Sequence, residues 1–137
     1  MSEPADMNGL WSGWYAYSTL SEPVPFTAWI DDSDGTLTGT ILEPNTFSAV
    51  DIDDLQADID GLRGGLSVMF SKLYRPHQGA HAYPIRYSGH FDTQAQKVRG
   101  KWSISADIRS EGPFEMQRAS RSISEGILRE VLAPVER

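Results

Sequence analysis

The middle of the chain, residues 66–106, alternates apolar and polar side chains with a period of two. Three successive segments carry the pattern, with apolar or glycine positions at Leu66/Val68/Phe70, Ile85/Tyr87/Gly89/Phe91 and Val98/Gly100/Trp102/Ile104. This period is typical of β-strands with one buried face and one wet face. The connections at residues 75–84 and 92–96 are too short for a crossover helix, so the three predicted strands are antiparallel neighbours.

Five further strands are predicted at residues 10–18, 26–30, 36–43, 55–62 and 113–118. Turn residues separate them: Asp and Ser at 31–34 followed by Gly35 predict one hairpin, and Gly64-Gly65 predicts another. The acidic connection at residues 45–54 is longer. Its apolar residues Phe47, Val50 and Ile52 are expected to fold back as a lid or cap.

Eight short strands joined mostly by hairpins predict an all-β fold, an eight-stranded up-and-down antiparallel β-barrel. A two-sheet sandwich is the less favoured alternative, because Greek-key order needs a long connection that only residues 45–54 could supply. We assign residues 1–8 to a flexible polar lead and residues 9–118 to the barrel domain.

The tail, residues 119–137, is predicted to be a linker and a short C-terminal amphipathic helix. Ser122 and Glu125 have the spacing of a capping box. The apolar positions that follow have helical spacing; they are Ile123, Ile127, Leu128, Val131 and Leu132. Such a stripe must bury against another surface.

A matching surface is predicted on the outer wall of the barrel. Six large apolar residues fall on outward positions of the first five strands: Trp14, Trp29, Leu42, Leu62, Met69 and Leu73. Apolar patches of this kind usually mark interfaces. We expect either the C-terminal helix or a second subunit, in a homo-oligomer, to cover this wall.

Composition narrows the class of protein. The 137 residues fit one domain, and 39% hydrophobic with 23% charged residues is typical of a folded protein. A net charge of −7 with dispersed Lys and Arg disfavours nucleic acid as a partner. No segment has the length of a membrane span. The absence of Cys and of a basic, apolar leader predicts a cytoplasmic protein.

The candidate binding residues share the inward face of the barrel. Phe70, Tyr87 and Trp102 lie on three adjacent strands, and Tyr15, Tyr17, Lys72 and Tyr74 lie nearer the strand ends on the same face. The three rings either line a ligand pocket or fill the interior. Glycines at inward positions have no side chain, so the space they leave either accommodates the three rings or forms a cavity.

Catalytic and metal motifs are not evident in the sequence. His77 and His81 are four residues apart, but Pro76, Gly79 and Pro84 place them in a loop, so we predict no metal site and no cofactor. No nucleophile elbow, phosphate loop or zinc-protease motif is present. We expect a non-enzymatic protein. A small barrel enzyme stays open as an alternative and would need a cavity group with a strongly shifted pKa.

The residues resemble the calycin barrels, and the avidin and streptavidin family most closely. Gly9-Leu10-Trp11 resembles the Gly-x-Trp that opens the first strand of these barrels. Arg118 falls where calycins place a basic side chain against that Trp, which makes Trp11 and Arg118 a barrel-closing pair. Residues 34–40, Asp-Gly-Thr-Leu-Thr-Gly-Thr, resemble the avidin strand-three motif.

The avidin resemblance implies an aromatic box at Phe70, Tyr87 and Trp102. The polar positions that hold biotin are not matched, because the strand-one Asn falls on Gly13 and the strand-three Ser on Glu43. Buried polar groups of a ligand left without partners cost about 1–3 kcal/mol each, so a ligand other than biotin is expected.

Together these observations predict a binding barrel that holds a small apolar or aromatic molecule at its open end. The alternative is a protein-interaction or inhibitor module with a filled barrel that acts through its outer wall. An open interior favours the first function, and a fully packed interior favours the second.

Overall fold

The computed structural model describes residues 6–80, 83–104 and 110–120. These residues form eight strands. Their bounds are β1 Gly9–Tyr15, β2 Val24–Ser33, β3 Thr36–Pro44, β4 Asp54–Gly64, β5 Ser67–Tyr74, β6 Ile85–Phe91, β7 Lys97–Ile104 and β8 Ser110–Ser120. The strands β2, β4 and β8 are longer than the alternation predicts, because their ends pair with neighbours although they no longer alternate in polarity.

The sheet is a closed barrel in which each strand pairs antiparallel with the next, and β8 returns to pair with β1. This confirms the predicted all-β, eight-stranded up-and-down antiparallel barrel. Closure satisfies the backbone donors and acceptors that an open sheet would leave at its two edges. The predicted C-terminal helix lies in residues 121–137, outside the described residues.

The first hairpin shows how local sequence sets strand length. Asp34 and Gly35 alone form the turn between β2 and β3, with φ angles of 52° and 89°. Two successive positive φ angles define the tight turn that matches the twist of a hairpin, and Asp-Gly is a preferred pair for it. The β4–β5 hairpin turns at Gly65 and Leu66, so Leu66 is 52% exposed and is not on the buried face where alternation places it.

Aromatic rings fill the centre of the barrel. Phe70 and Tyr87 stack with centroids 4.9 Å apart and planes at 6°, and Phe114 meets Tyr87 edge-on at 5.0 Å. A Cβ added to Gly61 would lie 2.6 Å from the Cβ of Phe70, and one at Gly89 would lie 3.1 Å from the ring of Phe114. These glycines therefore make room for the rings that pack at the centre.

One end of the barrel is closed by the segment that precedes β1. The Arg118 guanidinium lies 4.5 Å from the centroid of the Trp11 ring and donates to the backbone carbonyls of Asp6 and Asn8. Trp11 Nε1 donates to the Met7 carbonyl at 2.9 Å, and Met7 is fully buried. The polar lead predicted for residues 1–8 is therefore fixed against the barrel at residues 6–8.

Asp32 anchors the same closed end. Its carboxylate accepts from the backbone N–H groups of Met7 at 2.9 Å and Gly35 at 2.8 Å, and from Arg63 Nε at 2.6 Å. Burial alone would raise the pKa of Asp32, but the hydrogen bonds from Arg63 and the two amides outweigh it and hold the pKa below its ordinary value. The carboxylate thus ties the lead, the first hairpin and β4 together.

The outer wall divides into two parts. Trp14, Trp29 and Leu42 are half-buried by their neighbours, whereas Leu62, Met69 and Leu73 are 66%, 50% and 44% exposed. The exposed part of the predicted surface therefore lies on β4 and β5 alone. Within the described residues there is no helix with the length and apolar character needed to cross a membrane.

Met7→Ala tests the role of the lead. Because Met7 is fully buried under the barrel end, we expect its truncation to lower the free energy of unfolding by about 2–5 kcal/mol. Urea unfolding followed by circular dichroism measures it. Leu20→Ala is the control, since Leu20 is 95% exposed and its truncation should change the free energy by less than about 0.5 kcal/mol. Equal effects of the two changes would show that the N-terminal segment is not packed against the barrel as described.

Candidate functional site

A cavity of about 180 Å³ opens at the end of the barrel opposite Trp11 and Arg118. Among the described residues, its lining consists of seven aromatic and two aliphatic side chains. They are Tyr15, Tyr17, Phe47, Tyr74, Tyr83, Tyr87 and Trp102, together with Ile85 and Ile104. The barrel is therefore filled at its centre and open at one mouth.

The ends of β1 and β7 fix one wall of the cavity. Trp102 Nε1 donates to the carbonyl of Ala16 at 2.9 Å, which holds the indole against the residue that follows β1. Tyr17 stands edge-on to both Tyr15 and Trp102, with centroids 6.0 Å and 5.8 Å away. Edge-to-face pairs of this kind are favourable aromatic geometries. Tyr17 is half exposed and forms part of the rim, while Trp102 is buried beneath it.

The β3–β4 loop forms another part of the rim. Phe47 lies edge-on to Tyr74 with centroids 5.7 Å apart. Asn45 organises the loop, because its side-chain amide donates to the carbonyls of Ser48, Val50 and Ile52. These bonds hold Phe47 at the mouth, whereas Val50, which was expected to fold back with it, is 39% exposed and does not line the cavity.

The rim is also tied to the β5–β6 loop. Ser48 Oγ donates to the Gln78 carbonyl, and the Gln78 side chain bonds both the N–H and the carbonyl of Gln56 on β4. Two loops and one strand thus form a single hydrogen-bonded unit. These hydrogen bonds connect this side of the cavity mouth to β4.

A buried ion pair lies behind the tyrosines of the cavity. Lys72 Nζ and Glu43 Oε1 are 2.6 Å apart, and each residue is only 1% exposed. Glu43 Oε2 accepts from the hydroxyls of Tyr15 at 2.7 Å and Tyr74 at 3.0 Å. One carboxylate therefore takes three donors from three side chains, which offsets much of the cost of burying its charge.

The ammonium of Lys72 is surrounded by aromatic faces. Its Nζ lies 4.5 Å, 4.8 Å and 5.5 Å from the ring centroids of Tyr15, Tyr74 and Tyr87. Burial lowers the pKa of Lys72, while the charge of Glu43 and its hydrogen bond oppose that shift. The ring faces and the carboxylate are the groups that stabilise the ammonium here.

The tyrosine hydroxyls of this network stay protonated. Burial is the largest cause that raises the pKa of Tyr15 and of Tyr74, and the negative charge of Glu43 raises both further. Each hydroxyl can therefore act as a hydrogen-bond donor to Glu43. The network is neutral as a whole, with one cation, one anion and two neutral phenols.

The structure brings together most of the residues that the alternation places on the inward face. Five of the predicted ligand residues line the cavity: Tyr15, Tyr17, Tyr74, Tyr87 and Trp102. Phe70 and Lys72 do not, contrary to expectation. Phe70 lies one layer deeper, stacked on Tyr87, because the barrel centre is filled. The charge of Lys72 is directed to Glu43 rather than to the cavity.

Some residues of the site were not predicted. Glu43 has the same inward parity as Leu37 and Ile41, so the two-residue period was the signal that could have found it. Ile85 and Ile104 likewise share the parity of Tyr87 and Trp102. Tyr83 lies in a loop, where no periodicity exists to mark it.

The described residues contain no group of three or more His, Asp and Glu side chains arranged to hold a metal ion. His81, one of the pair weighed as ligands, lies outside the described residues. His77 is in the β5–β6 loop with a positive φ of 69°. What the site offers chemically is an apolar aromatic surface over a neutral polar floor.

No protein-family model, curated protein or solved structure matches the chain. The closed eight-stranded antiparallel barrel is consistent with a calycin-like fold in general.

A double-mutant cycle on Glu43 and Lys72 tests the buried pair. Lys72→Met or Glu43→Gln alone leaves one charge buried without its partner, so we expect each to cost about 3–5 kcal/mol of unfolding free energy. The double variant should cost much less than the sum of the two, because it removes both charges and keeps an acceptor for the tyrosines. Urea unfolding supplies all four free energies.

The exposed pair Arg99–Glu115 gives a matched control. Its Nε–Oε1 distance is 2.7 Å, close to that of the buried pair, but the Arg99 side chain is 72% exposed. The same cycle with Arg99→Met and Glu115→Gln should give a coupling of less than about 1 kcal/mol. Additive losses in the Glu43 and Lys72 cycle would show that the two side chains do not interact as described.

Proposed function

We propose that this protein binds a small, largely apolar or aromatic molecule in the mouth of its barrel, without chemical conversion. The observation that carries the proposal is the cavity itself, which, within the described residues, is lined by seven aromatic rings and opens to solvent beside a packed core. Rings held edge-on to one another around a concave space offer stacking surface to a flat ligand.

The volume of the cavity limits the size of the ligand. A dry apolar cavity of about 150 Å³ holds benzene, whereas pockets for drug-sized molecules measure about 300–1,000 Å³. At about 180 Å³ the mouth suits a molecule of one or two rings. Larger ligands would have to extend past Tyr17 and Phe47 into solvent.

Binding without catalysis is supported by how the ionisable groups are used. Glu43 and Lys72 are paired with each other, and Tyr15 and Tyr74 donate to Glu43. A general acid or base must reach the reacting atom within hydrogen-bond distance. Neither member of the ion pair lines the cavity.

We further propose a distant relationship to the avidin and streptavidin family, with a different ligand. The up-and-down barrel and the contact between Trp11 and Arg118 support the relationship. Glu43 stands where that family's strand-three Ser is expected, and here it binds Lys72. A biotin ring system would need that position to face the ligand, so the ion pair argues against biotin.

Trp102→Ala and Ile104→Trp test the site in two opposite ways. The first removes a wall of the cavity and the second fills the space, so each should weaken binding of small aromatic probes about tenfold or more. Calorimetric titration with naphthalene derivatives and retention of host ligand in native mass spectrometry measure the loss. Ile104 is half-buried at the mouth, so its enlargement is compatible with folding.

Leu73→Trp on the outer wall is the control for added bulk, and it should bind the probes as the wild type does. The proposal is wrong if a folded Ile104→Trp variant keeps wild-type affinity. It is also wrong if the wild type neither binds any probe nor retains a ligand from its host.

Self-association through the outer wall is a second candidate function. Leu62 and Met69 are cross-strand neighbours, 66% and 50% exposed. Beside them Asp60, Ser71 and Arg86 form a row across β4, β5 and β6. A second copy related by a two-fold axis parallel to β5 would place Asp60 of each copy opposite Arg86 of the other.

Charge reversal tests this dimer. Arg86→Asp places like charges opposite each other and should shift sedimentation toward the monomer, whereas Asp60→Arg combined with Arg86→Asp restores opposite charges and should restore the dimer. Sedimentation velocity at several concentrations distinguishes the species. A wild type that stays monomeric at high micromolar concentration contradicts this candidate.

A further inference from the structure

The floor of the cavity holds a tyrosine hydroxyl that the protein does not use. Tyr87 lines the cavity and is only 1% exposed. Tyr15 and Tyr74, beside it, both donate to Glu43. In the part of the chain that the structure describes, the Tyr87 hydroxyl makes no hydrogen bond. The hydroxyl is not sealed in the core but is reached from the cavity, so a molecule that enters the cavity can bond to it.

Packing fixes the direction of this hydroxyl. The Tyr87 ring stacks on Phe70 at 4.9 Å and meets Phe114 edge-on at 5.0 Å, so it cannot rotate freely to find a partner. Burial raises the pKa of Tyr87, and so do the nearby Glu43, Tyr74 and Tyr17. The hydroxyl therefore keeps its proton and lies on the side of the ring that faces these cavity groups.

The Glu43 carboxylate beside the floor of the cavity is already occupied by other donors. Lys72 has three N–H groups, and within the described residues it makes a single hydrogen bond, to Glu43 Oε1. Glu43 Oε2 already accepts from Tyr15 and Tyr74. The Glu43 carboxylate is therefore committed to these three donors, and the Tyr87 hydroxyl has its proton free for an acceptor atom on a ligand in the cavity.

We propose that the ligand is a neutral aromatic carbonyl compound of one or two rings whose carbonyl oxygen accepts a hydrogen bond from Tyr87. The inference rests on the proposed binding function and names the ligand class for the same cavity. Neutrality follows because Glu43 and Lys72 already balance each other. Among the described residues the cavity lining contains no charged side chain, so a charged ligand would lose its hydration without gaining a partner of opposite charge.

Two probes of nearly equal shape test the inference. Acetophenone and α-methylstyrene differ only in C=O against C=CH₂, so only acetophenone offers the acceptor. Tyr87→Phe should weaken acetophenone about three- to tenfold and leave α-methylstyrene within about twofold of its wild-type affinity. Calorimetric or NMR titration of both probes against both proteins gives the four dissociation constants.

The outcomes distinguish a failure of the proposed carbonyl recognition from a failure of the proposed binding function. If both probes bind and Tyr87→Phe changes them equally, or changes neither, the carbonyl recognition is wrong and the binding function stands. If neither probe binds the wild type, the binding function fails and the ligand class fails with it.

The free protein gives an independent test. Because the Tyr87 hydroxyl has no partner, Tyr87→Phe should leave the urea unfolding midpoint unchanged or raise it. Tyr15→Phe is the matched control, and it should lower the midpoint because it removes a donor from buried Glu43. A Tyr87→Phe midpoint lowered as far as that of Tyr15→Phe would show that the hydroxyl is bonded within the folded protein, which would overturn the inference.

Discussion

The limited interior of a closed eight-stranded barrel governs this structure. Such a barrel has room for side chains or for one small ligand, and here it is divided between the two. Phe70, Tyr87 and Phe114 fill the centre, and inward glycines such as Gly61 and Gly89 give up their volume to these rings. The lead closes one end through Met7. What remains is a cavity at the opposite mouth, and its size and position follow from how the rest is filled.

The buried pair of Glu43 and Lys72 lies at the boundary between the packed core and the cavity. Burying two charges is costly unless their remaining hydrogen-bonding capacity is used. Tyr15 and Tyr74 supply donors to the carboxylate, and three tyrosine rings surround the ammonium. The same tyrosines present ring surface to the cavity. Stability of the core and shape of the site therefore depend on one network, and a change in either partner would alter both.

The fold follows closely from local sequence. Two-residue alternation identifies the strands, and Asp34-Gly35 and Gly65 turn the chain tightly enough that consecutive strands pair. Short connections leave antiparallel neighbours as the only arrangement, and eight such strands close because closure satisfies their edges. The alternation also predicts which residues face the barrel interior, and it places Glu43 on that face. The sequence does not predict where the strands end, because Asp31, Asp32 and Ser33 pair across the hairpin although such residues are typical of turns.

The sequence by itself determined the architecture and the inward position of Tyr15, Tyr74, Tyr87 and Trp102, since both depend on periodicity and turn chemistry. Only the tertiary structure decided which inward residues meet the cavity, because that depends on the depth at which each side chain lies. Phe70 and Tyr87 share a register position, yet only Tyr87 reaches the cavity. The pairing of Glu43 with Lys72 across β4, the burial of Met7 and the position of the Tyr87 hydroxyl at the cavity likewise depend on contacts between segments distant in sequence, and no local pattern encodes them.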